Sequence, residues 1–314
     1  MQSRLMALVL ALLVPLLGSP AAAQTTMPHI RVAALAIDVG ALSYFAQQQG
    51  FFKKHGLDVE IITGTNGAAI AAAVVGGAID IGDSNTTSIA TGHERGVPFV
   101  LIAPSGAYSS KGPTGALVVA KTSPIKTAKD MAGKTIGVSG LRNISEVAPR
   151  AWLDKNGVSS DSVKFVEIPF SAMSAALAAG RVDAVMAEEP VLTSIVQGDV
   201  GRVLANVYDT IAPTWVEGGY FCTIDYAKAH PEIIKQFTDA MAEAAVWANA
   251  NHAATAVMLA DYAKTPVNPN VQRMYYPERL RASELQPLID ASAKYGLLKA
   301  SFPAKDIIAP GVPQ

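Results

Sequence analysis

The chain has 314 residues, half of them apolar and 16% charged, enough for a large core in about two domains and outside the composition of disordered chains. Lys and Arg number 25 against 26 Asp and Glu, a net charge of −1, so the basic excess of a nucleic-acid binder is missing. One cysteine, Cys222, excludes an intramolecular disulfide, and 5 histidines without ligand spacing point away from a metal.

The mean hydropathy of +0.27 is raised by the start of the chain. Met1-Gln2-Ser3-Arg4 is short and basic, and Leu5 to Leu17 is apolar apart from Pro15. That run is shorter than the ~20 residues of a spanning helix. Ala21-Ala22-Ala23 then places small residues before Gln24. Residues 1–23 therefore read as a cleavable secretory signal, cut after Ala23, with an N-terminal membrane anchor as the alternative, and the mature protein is expected to be exported.

Ile30 to Leu35 reads as a buried strand. Ala41 to Lys54 carries Leu42, Phe45 and Ala46 on one helical face, with Gly56 as its stop. Leu57 to Ile61 alternates with the period of a strand, Asn66 to Val75 is an Ala-rich helix ended by Gly76-Gly77, and Ile79-Asp80-Ile81 is a third strand. About a hundred residues on, the order returns. Ile136-Gly137-Val138 echoes Ile30-Arg31-Val32, Asp154 to Val158 echoes Lys53 to Leu57, Val166-Glu167-Ile168 echoes Val59-Glu60-Ile61, and Gly180 to Ala184 echoes Gly77 to Ile81. Later, His230-Pro231-Glu232 opens a helix striped by Ile234, Phe237, Met241, Ala245 and Ala248. Ser283-x-x-Gln286 has the form of a capping box before a last helix ending at Gly296. The expected fold is α/β, with two similar lobes of mainly parallel sheet and flanking helices.

Ligands of open parallel sheets sit beyond the carboxyl ends of the strands. The loops there are Ala36 to Asp38, Gly64 to Gly67, Asp83 to Thr86, Ser139 to Asn143, Phe170-Ser171 and Glu188 to Pro190. Several open helices, whose unpaired N–H groups attract anionic oxygens. Their Ser, Thr and Asn side chains either cap those helices or turn to a ligand. Arg142 is the single cation in these loops and favours an acidic ligand group; Glu188 and Glu189 favour an amine or N–H donor. Being adjacent on a strand end, the two glutamates point to opposite faces, and one of them faces the ligand. Asp80 and Asp183, after glycine at helix ends, read as structural. The expected ligand set is Asp38, Thr65, Asn66, Ser84, Asn85, Thr86, Ser139, Arg142, Asn143, Glu188, Glu189 and Trp215.

Enzyme patterns fail on their own terms. Gly133-Lys134-Thr135 lacks the first glycine of a phosphate loop, where Ala128 stands, and precedes a strand. Gly137-Val138-Ser139-Gly140-Leu141 lacks the last glycine of a nucleophile elbow. No catalytic residue, cofactor or metal site is expected.

The stretch ALSYFAQQQGFFKKHGLDVEI, followed by GGAIDIGDSN, MAGKTIGVSG, AALAAGRVDAVMAEEP and HPEIIKQF, resembles type II periplasmic binding proteins of the sulfonate, nitrate, taurine and thiamine-precursor family from about Ile30 to Tyr295. The resemblance implies two lobes joined by crossover strands, residues 24–114 with 216–314 and residues 115–215, around a ligand cleft. It implies a monomer that carries a small polar or anionic organic ligand to an ABC permease in the inner membrane with its cytoplasmic ATPase. An exported sensor signalling to a membrane receptor is the alternative. The family's Gly/Ser/Thr-rich turn falls on Arg142 to Ser145, where Arg142 and Ile144 depart from it. Its acidic-Pro element falls on Glu189-Pro190. The single Cys222 and the export signal differ from the cysteine-rich enzymatic branch of the family.

Overall fold

The computed structural model describes residues 27–266, 268 and 271–313; the expected signal segment 1–23 lies outside them. β1 (His29–Leu35), β2 (Asp58–Gly64), β3 (Ile81–Asn85) and β4 (Phe99–Pro104) come first. A short β5 (Ala107–Ser109) leads to β6 (Gly115–Ala120). β7 (Thr135–Val138), β8 (Lys164–Glu167), β9 (Ala184–Glu188) and β10 (Gly201–Ala205) follow, then β11 (Thr214–Val216) and β12 (Gly218–Thr223). One sheet has the order β2-β1-β3-β12-β4 and the other β8-β7-β9-β6-β10. In each, the first three strands are parallel and the fourth is antiparallel to both neighbours.

The two sheets share a topology and also individual hydrogen bonds. Asp80 donates its N–H to Arg31 O and accepts from Arg31 N at 2.8 Å; Asp183 does the same with Thr135, also at 2.8 Å. Both aspartates are thus structural, each tying the chain ahead of its third strand to the first. Leu57 N to Phe52 O has its counterpart in Val158 N to Leu153 O. These bonds place Arg31 opposite Thr135 in the repeat, so the Ile30/Ile136 echo is two positions out of register. Arg31 pairs with Glu60 and Thr135 with Lys164, so the Val59/Val166 echo is three positions out. The echoes anchored by Gly56/Gly157 and by Asp80/Asp183 hold.

Two further expectations are corrected. The helix over Ala41 to Lys54 is split into Leu42–Gln48 and Phe51–Lys54, because Gly50 adopts φ +77, a left-handed conformation that glycine reaches without steric cost. The third strand begins at Ile81, not Ile79, since Asp80 is held by Arg31; Asp83, Ser84 and Asn85 therefore belong to strand and not to loop.

Strand alternation separates the core of the first lobe into two layers. Ile30, Val32 and Ala34 of β1 pack into one, with Phe45, Phe52 and Phe237, while Ala33 packs into the other, with Ile70, Phe221 and Ile289. Each buried Val, Leu, Ile or Phe stabilises the fold by about 1.5–3 kcal/mol. The long helix Pro231–Ala250 buries its expected stripe in the first layer, its Phe237 ring stacked on Phe52 at 5.5 Å. The last helix, Ala282–Lys294, has no capping box: Arg281 is its N-cap, and Gln286 instead binds Ala304 N and Phe302 O, fastening the C-terminal tail.

The chain passes between the sheets twice at one place, where β5 and β11 form an antiparallel pair with Tyr108 opposite Trp215. The rings of Tyr108, Tyr208 and Trp215 pack at 5.3–5.5 Å. Trp215 is fully buried there, a part of the core and not of the cleft lining.

Candidate functional site

The carboxyl ends of the parallel strands of both sheets converge on one polar pocket between the lobes. The first lobe contributes Leu35 from the end of β1, Asn66 and Gly67 after β2, and Asp83, Ser84 and Asn85 from β3. The second contributes Ser139, Asn143 and Ile144 after β7, Phe170 after β8, and Glu188 from β9; Glu217 comes from the crossover between β11 and β12. The enclosed cavity is small, about 20 Å³, little more than one water. The lobes are closed on it. Asn66 Nδ2 reaches Glu167 Oε1 across the gap at 3.1 Å, and Asp38 N donates to Glu189 O at 2.9 Å.

Of the helices that start at the pocket, three open on an asparagine, while Phe170–Ala178 starts after Pro169 with no side-chain cap. Asn66 caps Gly67–Val75 through Ala69 N, Asn85 caps Thr86–Glu94 through Ser88 N, and Asn143 caps Ile144–Lys155 through Ser145 N. These side chains therefore satisfy the helix ends and line the pocket at once. Close approach is achieved at Gly67, where a Cβ would lie 2.2 Å from Ser84 Oγ.

Of the residues expected to bind ligand, Asn66, Ser84, Asn85, Ser139, Asn143 and Glu188 line the pocket. Thr65 is exposed and Thr86 is buried, and neither lines it. Arg142 does not line it either. Its backbone sits at φ +58 and donates to Glu146 Oε2, while its guanidinium reaches Leu297 O at 2.7 Å, beside Glu94 and Lys294. It spans the lobes on an outer face, so the expected anion clamp lacks its cation. Asp38 is spent on structure: Arg273 binds Oδ1 through Nε and Nη2, and Met274 N binds Oδ2 at 2.6 Å. Of the adjacent glutamates, Glu188 faces the pocket, whereas Glu189 turns back to Thr193 N and Oγ1.

Asp83 and Glu217 are pocket residues that were not among those expected. Asp83, expected in a loop, is buried in β3. Glu217 is the lone acid in the apolar run from Thr214 to Cys222, a signal that could have marked it. The repeat explains its position. Thr86 N donates to Glu217 O in one lobe as Glu189 N donates to Thr114 O in the other, both at 2.9 Å. Glu217 thus occupies the crossover site that Thr114 fills in the second lobe.

Glu188 and Glu217 are both buried and line the same pocket, where two ionised carboxyls disfavour each other. Tyr208 OH donates to Glu188 Oε1 at 2.5 Å. Burial pushes Glu188 up to about 7, and burial together with the neighbouring Glu188 carries Glu217 well above the carboxylate range. Asp83 is raised by burial too. No Lys or Arg is among the lining residues. Cys222 is buried, its thiol pushed up to about 12 by burial, and so holds no nucleophilic thiolate at neutral pH.

Two lobes of this topology around a closed polar cleft define a periplasmic-binding-protein fold, and solved structures match it over most of their length. The alkanesulfonate-binding protein SsuA from Xanthomonas axonopodis pv. citri, bound to MOPS, aligns with a TM-score of 0.75 at 17% identity, covering 89% of this chain and 97% of that one. The nitrate-binding protein NrtA from Synechocystis PCC 6803 aligns at 0.74 and 16% identity, covering 90% and 86%. The NMT1/THI5-like family model matches residues 40–254, and the chain belongs to that family. A putative thiamine biosynthesis protein from Haemophilus influenzae is 31% identical over 45% of this chain and 43% of its own length. The taurine-binding periplasmic protein of Escherichia coli is 28% identical over 62% of this chain and 58% of its own. The chain spans about half the length of the curated relatives it matches. Among the described residues no helix is long and apolar enough to cross a membrane.

Proposed function

We propose that this protein is the periplasmic solute-binding component of an ABC importer. It takes a small polar organic molecule between its lobes and presents the closed form to a membrane permease served by a cytoplasmic ATPase. In this reading residues 24–114 with 216–314 form one lobe and residues 115–215 the other. They hinge near Pro113 to Gly115 and Trp215 to Tyr220, beside the paired β5 and β11, and the protein is exported by the signal in residues 1–23. The observation that carries the reading is a polar pocket sealed by residues of both lobes, in a fold shared with binding proteins named for alkanesulfonate and nitrate and a sequence similar to one named for taurine. With Arg142 directed elsewhere, an anion clamp is no part of it. The site binds and does not turn over its ligand, in keeping with the buried, unactivated Cys222.

Native mass spectrometry of protein purified from the periplasm tests this. A single small molecule is expected on each chain, released unchanged on unfolding. Gly67→Val should lose it, because the added side chain collides with Ser84 and fills the pocket. A bare wild-type mass, or a released product that differs from what was bound, would count against the proposal.

A further inference from the structure

Arg142 is a long charged side chain that the pocket does not use. It stands in the turn between β7 and the helix Ile144–Lys155, next to Asn143, which caps that helix and lines the pocket. Its backbone lies at φ +58, a region that residues other than glycine seldom enter. The turn is braced from behind. Arg142 N donates to Glu146 Oε2 at 2.8 Å, and Arg150 grips the other oxygen of the buried Glu146 through Nε at 2.9 Å and Nη2 at 2.8 Å. The Arg150 guanidinium reaches on to Asp161 and lies over the Phe165 ring at 4.7 Å. The second lobe thus fixes where the Arg142 side chain departs, and it departs away from the pocket.

The first lobe fixes the far end of that side chain. Arg142 Nη2 donates to Leu297 O at 2.7 Å. Leu297 and Leu298 are buried, and the N–H groups of both return to Ser292 O after the last helix stops at Gly296. The Ser292 hydroxyl meets that of Thr87 at 2.9 Å, and Lys299 N donates to Glu94, so the acceptor is tied to the helix Thr86–Glu94. Arg95, Lys294 and Lys299 line the same outer groove, with Glu94 as its acid. The guanidinium therefore sits among like charges and is held there by a carbonyl, not by an ion pair. The bond joins a braced turn of one lobe to a braced turn of the other.

We propose that Arg142 latches the closed form. It is a positioning residue: it touches no solute, and through Leu297 O it holds the second lobe on the first, so the cleft opens only when this bond breaks. This rests on the two-lobe, solute-binding reading above and adds a residue that sets how long the closed form lasts. Because the latch lies outside the pocket, it slows release of any solute by the same factor and selects none. One charge-assisted hydrogen bond at a part-exposed place supports a change of about three- to tenfold in the ratio of closed to open protein.

The test uses the full mature chain. Glu60 on β2 and Lys164 on β8 are exposed on the edge strands of the two sheets. Spin labels on Glu60→Cys and Lys164→Cys, with Cys222 buried and left unlabelled, give the distance between the lobes by pulsed electron resonance. The distance is read on protein as purified and after stripping by mild unfolding and refolding. Native mass spectrometry during dialysis follows loss of the carried-over molecule. Arg142→Ala should lower the closed-to-open ratio wherever both forms are populated and speed that loss by about three- to tenfold, with the mass of the molecule unchanged. Arg142→Gly separates a latch from a mere part of the turn. Glycine takes φ +58 without steric cost, so this variant should melt no lower than wild type yet open like Arg142→Ala. Arg142→Lys, which keeps a donor, should fall between. Wild-type distances and loss rate in Arg142→Gly, a change in which molecule is carried, or no closed population of the wild type in either state overturns the latch. A bare wild-type mass beside a closed population that still depends on Arg142 supports the latch and counts against the importer reading alone.

Discussion

Replacing Arg273 with alanine should destabilise the protein by about 3–5 kcal/mol, a loss measured as a fall of roughly 10 °C or more in Tm. The Arg273 and Asp38 side chains are 3% and 2% exposed, and the guanidinium meets Oδ1 through both Nε and Nη2. Tyr276 OH donates to the same oxygen at 2.8 Å, and the guanidinium lies over the Phe45 ring at 5.3 Å. Removing the arginine leaves a carboxylate in the core with only Met274 N and Tyr276 OH as donors, and leaves a cavity as well. The Asp38→Asn variant should lose a similar amount, since it leaves the buried guanidinium without a counter-charge and sets an amide NH2 against Met274 N. In a double-mutant cycle the two changes should be strongly non-additive. A loss below 1 kcal/mol for Arg273→Ala would mean that the pair does not hold the segment after Val271 onto the first lobe.

The ligand-free protein should be most stable on the acid side of neutrality. Burial pushes Glu188 and Glu189 up to about 7 and raises Asp83 and Glu217 well above the usual carboxylate range. An unfolded glutamate has lost its proton by then, its pKa being about 4.3. Between those values the folded state binds more protons than the unfolded state, so unfolding free energy falls as pH rises. Each proton so held contributes a slope of about 1.4 kcal/mol per pH unit. Several kcal/mol should therefore be lost between pH 5 and pH 8, read from urea unfolding at each pH. Glu188→Gln should remove part of that slope. A stability curve that is level or rising over this range would show that the buried carboxyls are ionised without cost.

The sequence made visible what periodicity and punctuation encode. Gly-ended helices and alternating strands gave the two α/β units, and the strand-end loops led to Asn66, Asn85, Ser139, Asn143 and Glu188, which do meet in one pocket. The misplacements share a cause: local pattern does not report tertiary pairing. Asp80 fits a strand pattern, but Arg31 holds it ahead of the strand, which places Asp83 and Ser84 in buried strand and not in a loop. Arg142 lay in the right loop, but its left-handed backbone and a carbonyl of the other lobe turned it outward. Glu217 stood in a crossover whose place beside β3 follows only from the sheet order. Trp215 looked available to a ligand, and two tyrosines from distant segments enclose it.

The central claim is that the two lobes close on a solute held in the cleft. Small-angle scattering on the purified protein, before and after removal of its carried-over molecule by mild unfolding and refolding, tests that most directly. The loaded protein should give the smaller radius of gyration and a curve that fits the closed structure. The stripped protein should be larger, as the Asn66–Glu167 and Asp38–Glu189 contacts part, and adding the released molecule back should restore the first curve. Identical curves for loaded and stripped protein would contradict the account.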